Sequence, residues 1–290
     1  MISEDSVRKT VVELFIKAET RLPRDVERGL ASLEERETGV GSTQLRNIAE
    51  NFERSRERGV PMCQDTGLPI VYVNVGGKAK VDLDFIYRAI YDGIIEATGR
   101  VPLRRHMVEP LSRRNVTDSL RDYSPFISLG VAPGADYVEL TVLPKGGGSE
   151  NMSALAMLKP SEGARAVKRF VIETVARAGG NPCPPIVVGV GIGGSSDAVM
   201  KLAKTALLRR LDDKNGDSTL AALENELLKK INELGIGPMG LGGKATALAV
   251  KIECAPCHTA SLPVGVNIQC WANRRASARI FEDGVEFKDE

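Results

Sequence analysis

Five cysteines and two histidines are the side chains of this 290-residue sequence best suited to metal, redox or proton-transfer chemistry. Cys254-Ala-Pro-Cys257 with His258 beside it offers ligands for zinc, but structural zinc sites generally need four ligands in paired clusters, and no second Cys-x-x-Cys exists. A redox pair wants its first cysteine at a helix N-terminus, and here Pro256 leads into strand-like sequence instead. The pair is read first as ordinary small residues, with a zinc or thiol binding protein built on Cys254, Cys257 and His258 kept as an alternative. Cys63, Cys183 and Cys270 are isolated, each in a turn bounded by proline or glycine beside a strand. Isolated cysteines are usually inert. Three thiolates on one [4Fe–4S] cube, which normally takes four, would leave one iron open as a Lewis acid rather than an electron carrier. With only His106 and His258 present, acid–base work must lean on other groups or on another chain.

Other motifs fail on context. Gly189-Val-Gly-Ile-Gly-Gly194 satisfies G-x-G-x-x-G after a strand, yet Asp212 and Asp213 follow an unbroken helical pattern with no second strand between. These glycines read as a tight strand-to-helix turn whose N–H groups could face an anion. Gly243-Lys244 is followed by Ala245, and Pro238 stands where a Walker glycine belongs. Asp65-Thr66-Gly67 is the aspartic-protease tripeptide in a single copy, and two carboxylates must meet there to share a proton.

The elements that position these residues follow from periodicity. Val7, Val11, Leu14, Phe15 and Ala18 share a helical face, and two further helices, the third capped by Ser42, fill residues 1–58 as a helical layer. Pro69–Gly76 is a strand, 81–98 a helix with Phe85, Ile86, Ile90 and Ile94 inside, and 101–121 an irregular arginine-rich connection. Strands at 126–131 and 137–143 precede Lys145-Gly-Gly-Gly-Ser149, whose lack of side chains lets backbone N–H groups approach a ligand. Helices are predicted over 161–178, 196–211 and 219–234, and strands over 186–190, 245–252, 264–268 and 276–281. The fold class is α/β: mixed sheets flanked by helices, a helical N-terminal segment (1–58) and a mixed α/β part (59–290) in one continuous domain.

Composition narrows the partners. Lys plus Arg total 39 against 38 for Asp plus Glu, so no basic footprint for nucleic acid or an anionic membrane exists. No run of eighteen apolar residues appears, and the acidic start Met-Ile-Ser-Glu-Asp lacks the features of a signal peptide. An odd cysteine count fits reduced thiols, hence a cytoplasmic protein whose partner is a small molecule or another protein.

Taken together, Pro61-Met-Cys-Gln-Asp-Thr-Gly67, Lys145-Gly-Gly-Gly-Ser149, Asn181-Pro-Cys-Pro-Pro185, Gly189–Gly194 and Pro256-Cys-His-Thr-Ala-Ser-Leu-Pro-Val-Gly-Val-Asn-Ile-Gln-Cys270 resemble the iron–sulfur (class I) fumarases and L(+)-tartrate dehydratases over nearly the whole chain. More narrowly, the chain resembles the α subunit of the two-subunit form. The resemblance implies Cys63, Cys183 and Cys270 as ligands of a [4Fe–4S] cluster and leaves Cys254 and Cys257 without a role. It implies substrate contacts from Gln64, Asp65, Gly146, His258 and Arg104 (with Arg105 the neighbouring candidate), and catalytic roles for Asp65 and His258. It further implies a β subunit, in an α2β2 assembly, that carries the missing base. The expected reaction is reversible hydration of fumarate to L-malate, taken first as the commoner role, with dehydration of L(+)-tartrate to oxaloacetate as the alternative.

Overall fold

The computed structural model describes residues 1–104, 107–115 and 126–288. In chain order its elements are α1 (Glu4–Thr20), α2 (Arg24–Glu34), α3 (Gly39–Arg58), β1 (Leu68–Gly76), α4 (Leu83–Arg100), β2 (Phe126–Ala132), β3 (Val138–Lys145), the single turn α5 (Gly147–Glu150), β4 (Ala154–Leu158), α6 (Gly163–Ala178), β5 (Ile186–Gly194), α7 (Ser196–Ala206), α8 (Ser218–Asn232), β6 (Ala247–Cys257), β7 (Leu262–Gln269), β8 (Ala276–Ile280) and β9 (Val285–Phe287). This is the α/β architecture the sequence implies, with mixed sheets, flanking helices and a helical N-terminus. Contacts divide it into two compact units, Met1–Arg24 with Asn51–Gly146 and Arg274–Glu290, and Asp25–Glu50 with Gly147–Asn273.

Unit one is a five-stranded sheet in the order β2-β1-β3-β8-β9. β1 runs parallel to β2 and antiparallel to β3. Alternate residues of three strands, Val71 and Val73, Leu140 and Val142, Ala276 and Ala278, share a core with Val7, Val11, Leu14 and Phe15 of α1 and Ile86 and Ile90 of α4. The period of two in the strands meets the period of 3.6 in the helices, which is why the two-layer packing is legible in sequence.

Unit two is a four-stranded sheet in the order β4-β7-β5-β6, with β5 and β6 parallel and the other pairs antiparallel. α6 and α8 supply Val167, Val171, Val175, Leu227 and Ile231 to the core on one face. On the other face α7 lies unusually close. A Cβ added at Gly189 or Gly191 would stand 2.1 Å from the carbonyl oxygens of Ala203 and Val199 respectively. The glycine run is therefore strand through Gly194, and Gly189 and Gly191 serve helix packing; the expected turn is displaced to the end of that run. β6 is an edge strand whose open groups are met by side chains. Glu224 Oε1 accepts Ile252 N–H at 2.8 Å, Arg209 Nη1 and Asn215 Nδ2 donate to Ile252 O at 3.3 and 2.9 Å, and Asn232 Oδ1 accepts from Thr246 and Ala247. Such pairing prevents an exposed ladder from recruiting another strand.

Four local expectations change. The third helix begins at Gly39, ahead of Ser42. α7 stops at Ala206 instead of Leu211, because the 211–213 segment is held elsewhere: Leu211 N–H donates to Asp25 Oδ2 at 2.6 Å and Lys251 Nζ to Leu211 O at 3.0 Å. β4 is a strand where none was expected, and β6 continues to Cys257. The described part of the arginine-rich connection is irregular, with one isolated bridge between Val108 and Asn115; Arg105, His106 and 116–121 lie outside the described residues.

Candidate functional site

The turn after α3 is fixed from both sides. Met62 N–H donates to Glu19 O at the end of α1 (3.0 Å), and Asn51 Nδ2 of α3 donates to Met62 O (2.7 Å). Cys63 follows, half-buried, its Sγ 3.4 Å from Gln64 Oε1, while Gln64 itself is exposed. Asp65 Oδ1 accepts Gly67 N–H at 2.9 Å, closing the turn on its own carboxylate. Gly67 has φ +75°, and a Cβ there would stand 2.8 Å from Lys145 N, so only glycine lets β1 leave the turn directly against β3.

Two further predicted residues meet this turn. Thr66 Oγ1 accepts Arg104 N–H at 2.9 Å and lies 3.3 Å from Arg104 O, which ties an exposed arginine to the turn although 38 residues separate them. Asp65 Oδ2 lies 3.3 Å from the point where a Cβ on Gly146 would stand. Unit one thus gathers Cys63, Gln64, Asp65, Arg104 and Gly146. This grouping supplies a carboxylate, an amide, a guanidinium and a side-chain-free backbone at one turn, and a guanidinium can hold an anion by charge-assisted hydrogen bonds.

Unit two brings two cysteines together. Cys183 sits between α6 and β5 with φ +54°, an uncommon conformation for a residue with a Cβ; its N–H donates to Gly180 O at 3.0 Å and its carbonyl accepts Trp271 N–H at 3.1 Å. Cys270 is therefore beside it, at the end of β7, with Sγ 3.7 Å from Ala272 O. His258 is elsewhere. Val187 pairs with Gln269 at one end of β5 and Gly194 with Cys257 at the other, so seven residues of strand, roughly 20 Å, separate the Cys183 and Cys270 end from His258. His258 is exposed, and its Nδ1 accepts Ala260 N–H at 3.1 Å.

None of the five cysteines is in a disulfide. Among the described residues no group of three or more His, Cys, Asp and Glu side chains is gathered as a metal site. The donor chemistry of Cys63, Cys183 and Cys270 nevertheless fits an iron–sulfur cluster: soft, half-buried thiols outside any disulfide, at turns, one of them in a costly backbone conformation. Cys254 differs, since burial and the nearby Cys257 push its thiol up, away from the thiolate that binds metal or attacks a disulfide. Cys257 Sγ instead contacts Ser261 O at 3.2 Å.

The residues that sequence reasoning missed lie beneath the turn. Glu19 and Arg274 are 0% and 1% exposed, and Arg274 Nη1 donates to Glu19 Oε2 at 2.7 Å. Arg274 Nη2 lies 3.8 Å from the same Gly146 Cβ point that Asp65 approaches. Lys145, fully buried, ends β3 at this place. Nothing in local spacing marks Glu19 or Arg274; Lys145 is marked only by its place before the glycine triplet.

A sequence profile described as Fumarate hydratase (Fumerase) matches residues 8–279. The chain is 50% identical over 277 residues to a protein of Methanocaldococcus jannaschii provisionally named an L(+)-tartrate dehydratase subunit alpha, covering 94% of this chain and 97% of that one. It is 33% identical over 265 residues to the L(+)-tartrate dehydratase subunit alpha of Escherichia coli K12, covering 91% and 87%. The protein of the same name in Shigella sonnei matches to the same extent.

Proposed function

Because the chain belongs to the fumarate hydratase (fumerase) family, which makes it a hydro-lyase of the class I fumarase and tartrate dehydratase α-subunit type, we propose that it is the α subunit of a [4Fe–4S]-dependent enzyme that dehydrates L(+)-tartrate to oxaloacetate. The observation that carries the site is the meeting of Asp65, Gly146 and the Thr66-tethered Arg104 at the Cys63 turn. Tartrate replaces fumarate as the first substrate because relatives matched across nearly their whole length carry that name. Hydration of fumarate to malate is the second reading, favoured by the family's own description.

In the dehydrating direction either reaction breaks a weakly acidic C–H bond and expels hydroxide, a poor leaving group; hydration of fumarate runs these steps in reverse. Cys63, Cys183 and Cys270 would hold the cluster, which when bound supplies an open iron as Lewis acid for the hydroxyl. Arg104 and the backbone N–H groups from Gly146 onward hold carboxylate oxygens by charge-assisted hydrogen bonds. Gln64 and Asp65 orient the hydroxyl-bearing carbon, and Asp65 carries protons on that side. Fixing both ends of a diacid makes the attack geometry part of binding, which is where much of the rate comes from. His258 stands at the opposite end of β5 from Cys183 and Cys270, so its role on the substrate rests on the family resemblance alone. The C–H base comes from the β subunit, as the family resemblance implies. Among the described residues no helix is long and apolar enough to cross a membrane, and cysteines outside any disulfide agree with a reducing, cytoplasmic setting.

The test is an anaerobic assay of the chain co-expressed with its β subunit against L(+)-tartrate, the other tartrate isomers, malate and fumarate. Turnover of L(+)-tartrate at least about tenfold more efficient than that of malate or fumarate supports the assignment, a difference of about 1.4 kcal/mol in transition-state binding. The reverse ranking moves it to fumarate, and one zinc with no iron in the purified pair overturns both.

A further inference from the structure

Fully buried charges are rare, and unit one holds four within a short stretch of structure: Glu19, Lys145, Arg274 and Arg275, none more than 2% exposed. Two of them join α1 to the proposed site. Glu19 uses its main-chain oxygen on Met62 N–H, beside Cys63, and its carboxylate on Arg274. Glu19 Oε1 has no hydrogen-bond partner among the described residues, so Arg274 is what holds this carboxylate. Nη2 of the same guanidinium lies 3.8 Å from the point where a Cβ on Gly146 would stand, and Asp65 Oδ2 lies 3.3 Å from that same point. Burial pushes Glu19 up to about 7, Arg274 pulls it down and Asp65 pushes it up again, which places the three charges in one electrostatic neighbourhood.

Stability alone is a poor reason for such an arrangement, because well-packed apolar residues often match or exceed a buried ion pair. Orientation is a better one. Arg274, 1% exposed, is closed off from any substrate, whereas Asp65 is half-buried and open. We propose that Glu19 and Arg274 are a positioning pair for Asp65: Glu19 fixes the guanidinium, and the guanidinium sets the Asp65 carboxylate against Gly146 in the orientation that substrate meets. The inference rests on the function proposed above, which puts Asp65 on the substrate.

The experiment compares Glu19→Gln, Arg274→Lys and the double variant in the co-expressed α and β enzyme, purified anaerobically and assayed at about pH 8, where Glu19 is ionised. Iron content and melting temperature are measured beside kcat per cluster and KM. Each single variant is expected to lower kcat about 10- to 100-fold with iron content unchanged and KM within about threefold, the signature of a misplaced group rather than lost binding. Because both act through one guanidinium, the double variant loses no more than the worse single. Unchanged kcat per cluster with only a lower melting temperature, or multiplicative losses in the double variant, overturns the pair. Should Glu19→Gln not fold, Glu19→Asp keeps the charge on a shorter arm: reduced kcat at full iron content supports the pair and wild-type kcat overturns it. A wild-type enzyme inert toward every diacid brings down the functional reading and this inference with it, whereas an active wild type with fully active variants brings down the inference alone.

Discussion

Replacing Gly67 by alanine separates two costs that the structure assigns to one residue. Its φ of +75° is the first: an L-residue in the left-handed region pays about 1–2 kcal/mol. The second is steric. The new Cβ would lie 2.8 Å from Lys145 N and 2.9 Å from the carbonyl carbons of Lys145 and Pro144, backbone atoms of β3 that cannot rotate aside. Overpacking of this kind costs about 1–3 kcal/mol, so Gly67→Ala should lose about 2–5 kcal/mol in all. Gly59 provides the control: φ is +62° and nothing lies within 4 Å of the added Cβ, so Gly59→Ala should lose only the conformational share. Thermal melts followed by circular dichroism measure the difference, and a fall of about 5–15 °C is expected for Gly67→Ala. Iron content and activity should fall as well, because Gly67 N–H is the group that closes the turn on Asp65. If Gly67→Ala melts with Gly59→Ala and keeps its activity, the packing of the turn against β3 does not constrain the site as argued.

Alanine at Cys63, Cys183 or Cys270 should abolish cluster binding, while Cys254→Ala and Cys257→Ala should retain about four irons per α chain by metal analysis; a full cluster in Cys183→Ala would show the ligand set to be wrong. Glu224→Ala should cost about 3 kcal/mol by chemical denaturation, since Ile252 N–H loses its acceptor and the half-buried Arg209 a partner, whereas Glu224→Gln, which keeps an acceptor, should cost less. Equal losses in the two would remove the edge-capping role. The pH dependence of stability follows from Glu19, whose folded value of about 7 lies above its ordinary value. A raised carboxylate favours the protonated folded state, so this contribution is complete below about pH 4.5 and is lost as pH rises to about 7. Glu19→Gln should flatten that part of the profile, and an unchanged slope would assign it to other groups.

The legible part of this chain was the part written in local periods. Val71 and Val73 alternating on β1, or Val7, Val11 and Leu14 recurring on α1, announce their element and buried face together. β4 was not legible because Ala154–Leu158 is short, and as an edge strand it leaves Leu155 and Met157 45% and 57% exposed, which erases the alternation a reader looks for. The run Gly189–Gly194 misled for the opposite reason. Glycine signals a turn when backbone freedom is needed, but Gly189 and Gly191 answer to Ala203 and Val199 of a helix that has not yet begun in the sequence. The same limit governs the site. Cys63, Gln64 and Asp65 are adjacent and carry a recognisable motif, and Arg104 enters through the family resemblance, with Arg105 as its neighbouring candidate. Glu19 and Arg274 belong to none: 255 residues separate them, and local spacing marks neither. What marks them is burial against one another, a property of the packed pair. Residues proposed to touch substrate are thus found by motif, while those proposed to hold them in place are found by asking which buried charges the motif leaves unexplained.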